Sequence, residues 1–278
     1  MRAEPLKQQV YKTGGLRHRI FLCLALCALI VFGAVQLREK LGLPLGFSLQ
    51  SPVEKSTKLT PSPAESALDE CEITLSGRSW YALQLGAFTQ ENAAYQLSQE
   101  FIPRGAAGYV CHQGSIYRVY AAAYPTRSEA QSVQTRLSEQ GVSTYIQPCG
   151  EEALTLRAAG TRKQLAVVRD IFSYLDTLSQ KFFTLSSRLD KNEITAAEAF
   201  SALSSESSTC LALANTLSAA FDDHLPPAAQ VLSDLLTMIS LECESAQNSQ
   251  SAARAGAALK RSHFAVIIGC NQLSDALK

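Results

Sequence analysis

The chain has 278 residues, with 25 basic and 25 acidic side chains and a formal net charge of zero. This length accommodates one or two small domains with accessory segments. The balanced charge argues against a nucleic-acid-binding protein, which usually carries a strongly basic surface.

The most apolar part of the sequence begins at Ile20, reads IFLCLALCALIVFGAV and extends to residue 37. Its length of about 18 residues is near the lower limit for a bilayer-spanning helix. Residues 1–19 contain a surplus of basic side chains, so the positive-inside rule predicts a cytoplasmic tail followed by a retained single-pass anchor at 20–37 in the cell membrane. A cleaved signal peptide is the alternative, although its apolar core is normally shorter and no clear A-x-A site follows the run.

Residues 38–77 are predicted to be a flexible linker outside the cytoplasm. Prolines at positions 44, 52, 61 and 63 interrupt any helix, and Ser, Thr, Lys and Glu occupy much of the rest. A chain of this length has a typical end-to-end distance of roughly 30–40 Å, which would let a tethered module search the space beyond the membrane.

Residues 78–150 show the pattern of a small α+β domain. The stretch WYALQLGAF at 80–88 alternates like a strand, with Leu83 and Leu85 on one side and Gln84 and Gly86 on the other. Helical periods and turn signals then give the order β-α-β-β-α-β. Right-handed crossovers predict a four-stranded antiparallel sheet of the ferredoxin/RNP type, with both helices on one face and the other face bare.

Residues 153–278 are predicted to form an all-α bundle. Apolar residues recur at three- and four-residue steps over four long segments, and the second and third begin at Thr195 and at Pro226-Pro227. Short breaks between long helices are typical of antiparallel bundles.

The central domain resembles the SPOR domain, a family that binds peptidoglycan. The resemblance rests on YALQLGAF at 81–88 and on Tyr117-Arg118-Val119, followed by Ala122-Ala123-Tyr124 where the family usually has Gly-Pro. It covers about 70 residues of the chain, and the predicted anchor and linker also resemble the usual setting of this family. The resemblance implies binding of glycan strands stripped of their stem peptides, in cell division or sporulation.

The family binds through the bare face of its sheet, so the resemblance points to four residues here, Gln84, Ala87, Ile116 and Arg118. Members often have Ser at the position of Ala87, and some have Trp at that of Ile116. Strand alternation adds Tyr120 to the same face. An amide can donate and accept hydrogen bonds, a guanidinium can bind lactyl carboxylates, and Tyr120 and Ile116 can pack against sugar rings.

The sequence predicts a binding protein and no enzyme. None of these side chains requires activation, and we expect no catalytic residue, metal or cofactor. The four histidines form no H-E-x-x-H arrangement, and G-x-S-x-G and P-loop patterns are absent from the sequence. The alternative function is an envelope scaffold, in which the helical bundle recruits other division or sporulation proteins.

Six cysteines lie beyond the predicted anchor, in a region where disulfides can form. Cys71 and Cys149 bracket the predicted domain, and its first and last strands should be neighbours. We therefore predict a disulfide between these two cysteines. Buried free thiols remain the alternative for the last three cysteines.

Overall fold

A computed structural model of the chain describes residues 68–245 and 251–277. The predicted cytoplasmic tail at 1–19, the predicted anchor at 20–37 and most of the predicted linker lie outside these residues. Within the described ranges, none of the helices combines the length and the apolar character needed to cross a bilayer.

The described residues form six strands and six α-helices, with a 3-10 helix at Ile102–Arg104 after the first α-helix. In chain order they are β1 Asp69–Leu75, β2 Arg78–Phe88, α1 Glu91–Phe101, β3 Tyr109–Gln113, β4 Ile116–Tyr124, α2 Arg127–Glu139, β5 Tyr145–Glu151, β6 Leu154–Gly160, α3 Arg162–Asp190, α4 Ala196–Ala220, α5 Pro227–Glu244 and α6 Ala252–Leu277.

Strands β2 to β5 form an antiparallel sheet in the order β3-β4-β2-β5, which confirms the predicted four-stranded arrangement. Both α1 and α2 lie on one side of it. Leu83 and Ala121 pack with Ala130 of α2, and a Cβ added to Gly86 would lie 2.9 Å from the side chain of Leu97 on α1. We call this the inner face, and the opposite one the outer face.

The simple alternation predicted for β2 is wrong after Gln84. The pairing of β2 with β4 passes from Leu83↔Ala122 to Gln84↔Tyr120 and then to Gly86↔Val119. One residue on each strand is therefore unpaired, a bulge that shifts the alternation. As a result, Gly86 joins the inner face with the fully buried Val119, and Ala87 lies on the outer face.

Two strands lie where the sequence predicted none. Strand β1 falls within the predicted linker, and β6 falls at the start of the predicted all-α region. They pair antiparallel from Asp69↔Gly160 to Leu75↔Leu154 and form a separate two-stranded sheet. Ile73, Leu75 and Leu154 pack into the core of the helical bundle, which stabilises two strands too short to be stable alone.

Helices α3 to α6 are the four long helices that the sequence predicted. Thr161 and Thr195 begin α3 and α4 with complete capping boxes, and Pro226 precedes α5. Their common core contains large, fully buried side chains, including Phe172, Phe182, Leu203, Leu217 and Leu236. The bundle together with β1 and β6 thus has a hydrophobic core of its own.

The predicted Cys71–Cys149 disulfide is not formed in this structure, because both residues are free thiols. Cys71 lies in β1 opposite Ala158, whereas Cys149 lies in β5 opposite Trp80. The two ends of the predicted domain therefore belong to different sheets. Burial raises the pKa of the Cys149 thiol to about 12, so this thiol is a poor nucleophile at neutral pH.

Candidate functional site

The five residues predicted to bind a ligand lie on the outer face of the sheet. Gln84 is paired with Tyr120, and Ala87 is paired with Arg118. Paired residues of an antiparallel ladder project to the same face, and Ile116 follows Arg118 by alternation. The structure thus brings all five predicted residues to one face, although it divides them between two environments.

One part of the outer face is covered by α6, so the prediction that this face is bare is wrong here. The ring of Phe264 stacks on Tyr109 and Tyr120, with centroid distances of 5.5 and 5.2 Å. Tyr120 is only 2% exposed, and its hydroxyl donates to Oε1 of Gln147. We call this part the covered region; its buried sheet-side residues are Trp80, Ala82, Ala107, Cys111, Tyr120 and Ala123.

Trp80 lies at the centre of the contact between the sheet and the bundle. Its indole packs edge-on against the imidazole of His263 at 4.4 Å and against Phe183 of α3 at 5.6 Å. The indole N–H donates to Oε1 of Glu151 at 3.2 Å. Burial raises the pKa of the Glu151 carboxyl, and the nearby Ser179 and Arg78 oppose this shift. An aromatic ring of the sheet is thus enclosed by aromatic rings of the bundle.

His263 is buried in this contact without a hydrogen bond at Nε2 from any described residue. Burial lowers the pKa of its imidazole to about 3, so the ring is neutral at neutral pH. A buried polar atom without a partner destabilises the contact that encloses it.

The other part of the outer face is accessible to solvent, and we call it the open region. It comprises Gln84, Ala87, Ile116, Arg118 and Tyr145. The guanidinium of Arg118 donates from Nη1 to Oε1 of Gln84 at 2.9 Å and from Nε to Oε1 of Gln113 at 3.0 Å. These two bonds hold the cation in place on the outer face.

Arg118 has no carboxylate partner among the ion pairs that the described residues form. Its two hydrogen-bond acceptors are neutral amides, which orient the guanidinium without neutralising its charge. Arg118 also opposes the burial-driven rise in the pKa of the neighbouring Cys111 thiol. The open region therefore presents a positive charge that is available to an anion.

Tyr145 was missed by the sequence analysis. It is paired with Gln84 across β5 and β2 and is 66% exposed. Its position could have been derived from the sequence, because the adjacent Ile146 is apolar and packs on the inner face. Alternation then directs Tyr145 to the outer face, where its ring offers a flat apolar surface, with Gln84 between it and the strand of Arg118.

Comparison with known proteins identifies the sheet. Residues 77–148 match the family model of the SPOR domain. This range contains α1, α2 and nearly all of the four-stranded sheet, and β6 and the bundle lie beyond it. No curated protein and no solved structure shows a significant match to the chain. Residues 77–148 thus form a SPOR domain, and the SPOR domain is a peptidoglycan-binding domain associated with cell division.

Proposed function

We propose that this SPOR-domain protein binds glycan strands that have lost their stem peptides, through the open region of its sheet. The observation that carries the proposal is the unneutralised guanidinium of Arg118, oriented by Gln84 and Gln113 on the same face as the exposed ring of Tyr145. A cation and an accessible aromatic ring on one face suit a ligand that has both carboxylates and apolar sugar faces.

The chemistry of the glycan explains why loss of the peptides matters. Stem peptides are attached through the lactyl carboxyl groups, so their removal exposes carboxylates that can accept charge-assisted hydrogen bonds from Arg118. The Oε1 atom of Gln84 already accepts from Arg118, which leaves its Nε2 group to donate to a sugar acetamido oxygen. Tyr145 can stack on a sugar ring, and the small side chain of Ala87 leaves space beside Arg118.

The proposed setting is the cell envelope. We propose that residues 20–37 anchor the protein in the cell membrane as a single span, with the N-terminus in the cytoplasm. Residues 38–77, which include β1 at Asp69–Leu75, would then join the anchor to the sheet on the extracytoplasmic side of the membrane. The association of SPOR domains with cell division favours a role at division sites, where amidases remove stem peptides from the glycan strands. Binding of the same glycan strands during sporulation is the second proposed role.

The proposal is tested by sedimenting the full-length protein, kept in a mild detergent, with wall sacculi before and after amidase treatment. We expect stronger binding to the treated sacculi, and Arg118→Met should weaken it about tenfold, as expected for a lost charge-assisted bond. Arg157→Met is a matched control, because Arg157 pairs with Glu72 on the separate two-stranded sheet. Equal binding of the two variants would contradict the proposed site.

A further inference from the structure

The chain crosses between the sheet and the bundle at two adjacent points. Strands β1 and β2 are joined through Ser76 and Gly77, and β5 and β6 through Glu152 and Ala153. The crossings lie side by side, since a Cβ on Gly77 would be 2.9 Å from the backbone nitrogen of Ala153. Short adjacent connections between two packed bodies are the kind of segment that serves as a hinge, because a few residues there can absorb a change in backbone angles.

Each side of this hinge has its own hydrophobic core. The sheet with α1 and α2 is packed around Leu83, Ala121, Ala130 and Ile146. The bundle with β1 and β6 is packed around the larger cluster that contains Phe172 and Leu203. A third cluster joins the two bodies, and Phe264 and Ile267 are its buried members on the bundle side. Separation of the bodies would therefore break the third cluster and leave the other two intact.

The contact between the bodies has features of a separable interface. It encloses the unpartnered Nε2 of His263, and a crevice of about 860 Å³ opens beside it, lined by inner-face residues such as Leu83 and by Phe183 of the bundle. Lys260 donates to the carbonyl of Gly105 at 3.1 Å, and Arg261 donates to that of Ala107 at 3.2 Å.

These two bonds lie away from the hinge. Near the hinge, Asn271 binds the backbone of Gly150 and Glu152. Lys260 lies about 17 Å from Asn271 toward the N-terminus of α6, from the rise per residue of a helix. Lys260 and Arg261 thus join the two bodies at the end of the contact that is far from the hinge, and we call these two bonds the latch.

The geometry points to a hinged cover: the bundle rotates about residues 76–77 and 152–153 and uncovers the aromatic half of the outer face for a glycan strand. This inference rests on the proposed function, since it takes the glycan as the ligand of the open region. A strand that passes from Gln84 to its paired neighbour Tyr120 meets the ring of Phe264. Glycan and bundle therefore compete for Tyr109, Tyr120 and Trp80.

Under such competition, the apparent association constant for the glycan equals the intrinsic constant multiplied by the fraction of molecules that are open. A weaker latch should raise the open fraction and hence the affinity, with no change in any residue of the open region. Lys260→Met removes the bond to Gly105, together with the ion pair to Asp190 within the bundle, and leaves the sheet unaltered. Lys163→Met is the matched control, since Lys163 donates to the carbonyl of Ala219 within the bundle.

Trp80 is the single tryptophan of the chain and lies under the cover, so its fluorescence reports opening directly. We expect amidase-treated glycan strands to shift its emission to longer wavelength and to increase its quenching by acrylamide in the full-length protein. Lys260→Met should bind the strands about tenfold more tightly than wild type, and Lys163→Met should bind like wild type. The buried thiols of Cys210 and Cys243 should stay unreactive, which excludes global unfolding.

The outcomes separate this inference from the proposed function. If the glycan binds, but Trp80 emission does not change and both lysine variants bind with equal affinity, the hinged cover is contradicted. Glycan binding itself would still stand. Absence of binding in all three proteins would contradict the proposed function. In that case the hinge is tested by acrylamide quenching of Trp80 in the absence of glycan. Greater quenching in Lys260→Met than in Lys163→Met would support opening of the contact, and equal quenching would contradict it.

Discussion

Arg118 donates a hydrogen bond of 2.9 Å from Nη1 to Oε1 of Gln84 on the neighbouring strand. The bond fixes the position of a cation on the outer face and uses a neutral acceptor, so the charge is not compensated within the sheet. It also shows that these two side chains, which the sequence predicted to share a face, are in direct contact.

Replacing the neutral acceptor tests whether this uncompensated charge matters. Gln84→Glu places a carboxylate beside Arg118, so the two should form an ion pair that competes with a glycan carboxylate. We expect binding to amidase-treated strands to fall at least fivefold, with the free energy of unfolding changed by less than about 1 kcal/mol. Binding isotherms and urea titrations measure the two effects.

Gln131→Glu is the control for added charge, since Gln131 lies on the exposed side of α2 and its side chain donates to Gln134 of the same helix. It should bind the strands like wild type. An equal loss in both variants would mean that net charge, and not the local pair with Arg118, governs binding.

Tyr145 should contribute by stacking on a sugar ring. Tyr145→Ala is expected to weaken glycan binding about three- to tenfold, corresponding to roughly 1 kcal/mol for a lost aromatic contact. Stability should hardly change, because the ring is 66% exposed. Tyr95→Ala provides the comparison, since Tyr95 is 50% exposed on α1, and α1 packs on the inner face. Unaltered binding of Tyr145→Ala would remove Tyr145 from the site.

The neutral His263 makes the fold sensitive to acid. The pKa of its imidazole is about 3 in the folded protein and near 6.5 when exposed, so the unfolded chain takes up a proton that the folded chain cannot. Stability should therefore fall as the pH drops below about 6.5, by about 1.4 kcal/mol at pH 5.5 from this residue alone. Burial raises the pKa of Glu151 and Glu242, which acts in the opposite direction.

His263→Phe isolates this effect, because both carboxyl groups remain in the variant. The difference in unfolding free energy between variant and wild type, measured by urea titration, should grow in favour of the variant from neutral pH to about pH 5.5. A difference that does not depend on pH would show that His263 becomes protonated within the folded protein.

Gly77 is required by the close approach of the two strand crossings. A Cβ there would lie 2.9 Å from the nitrogen of Ala153 and 3.1 Å from the carbonyl oxygen of Glu151. Both are backbone atoms, so Gly77→Ala must displace the second crossing, and we expect a loss of about 1–3 kcal/mol in unfolding free energy. Ser79→Ala, an exposed neighbour in β2, should change stability by less than about 0.5 kcal/mol. Similar stability of the two variants would contradict the close approach.

Much of the fold could be predicted from the sequence, because its signals are local. Alternation around Leu83 indicated β2, and apolar periods indicated the four helices of the bundle, with Thr195 and Pro226-Pro227 as the starts of the second and third. Strands β1 and β6 could not be predicted in this way. Each has seven residues, and their pairing joins positions such as Cys71 and Ala158 that are far apart in the chain.

The candidate site was predicted in part. Gln84, Ala87, Ile116 and Arg118 lie on one face, as the resemblance to the SPOR family implied, and Tyr120 lies there as alternation along β4 predicted. The bulge that places Ala87, and not Gly86, beside Arg118 depends on the register of β2 against β4, which strand alternation alone does not specify.

The sequence by itself determined a SPOR-type β-α-β-β-α-β sheet followed by helices, since hydrophobic period, caps and turn residues act over a few positions. Only the tertiary structure decided that the bundle packs on this sheet, burying Tyr120 beneath Phe264 while leaving Arg118 and Tyr145 accessible. The reason is that the apolar stripe of a helix shows that it will be buried but not against which surface. That choice depends on the complementary shape of residues far apart in the chain.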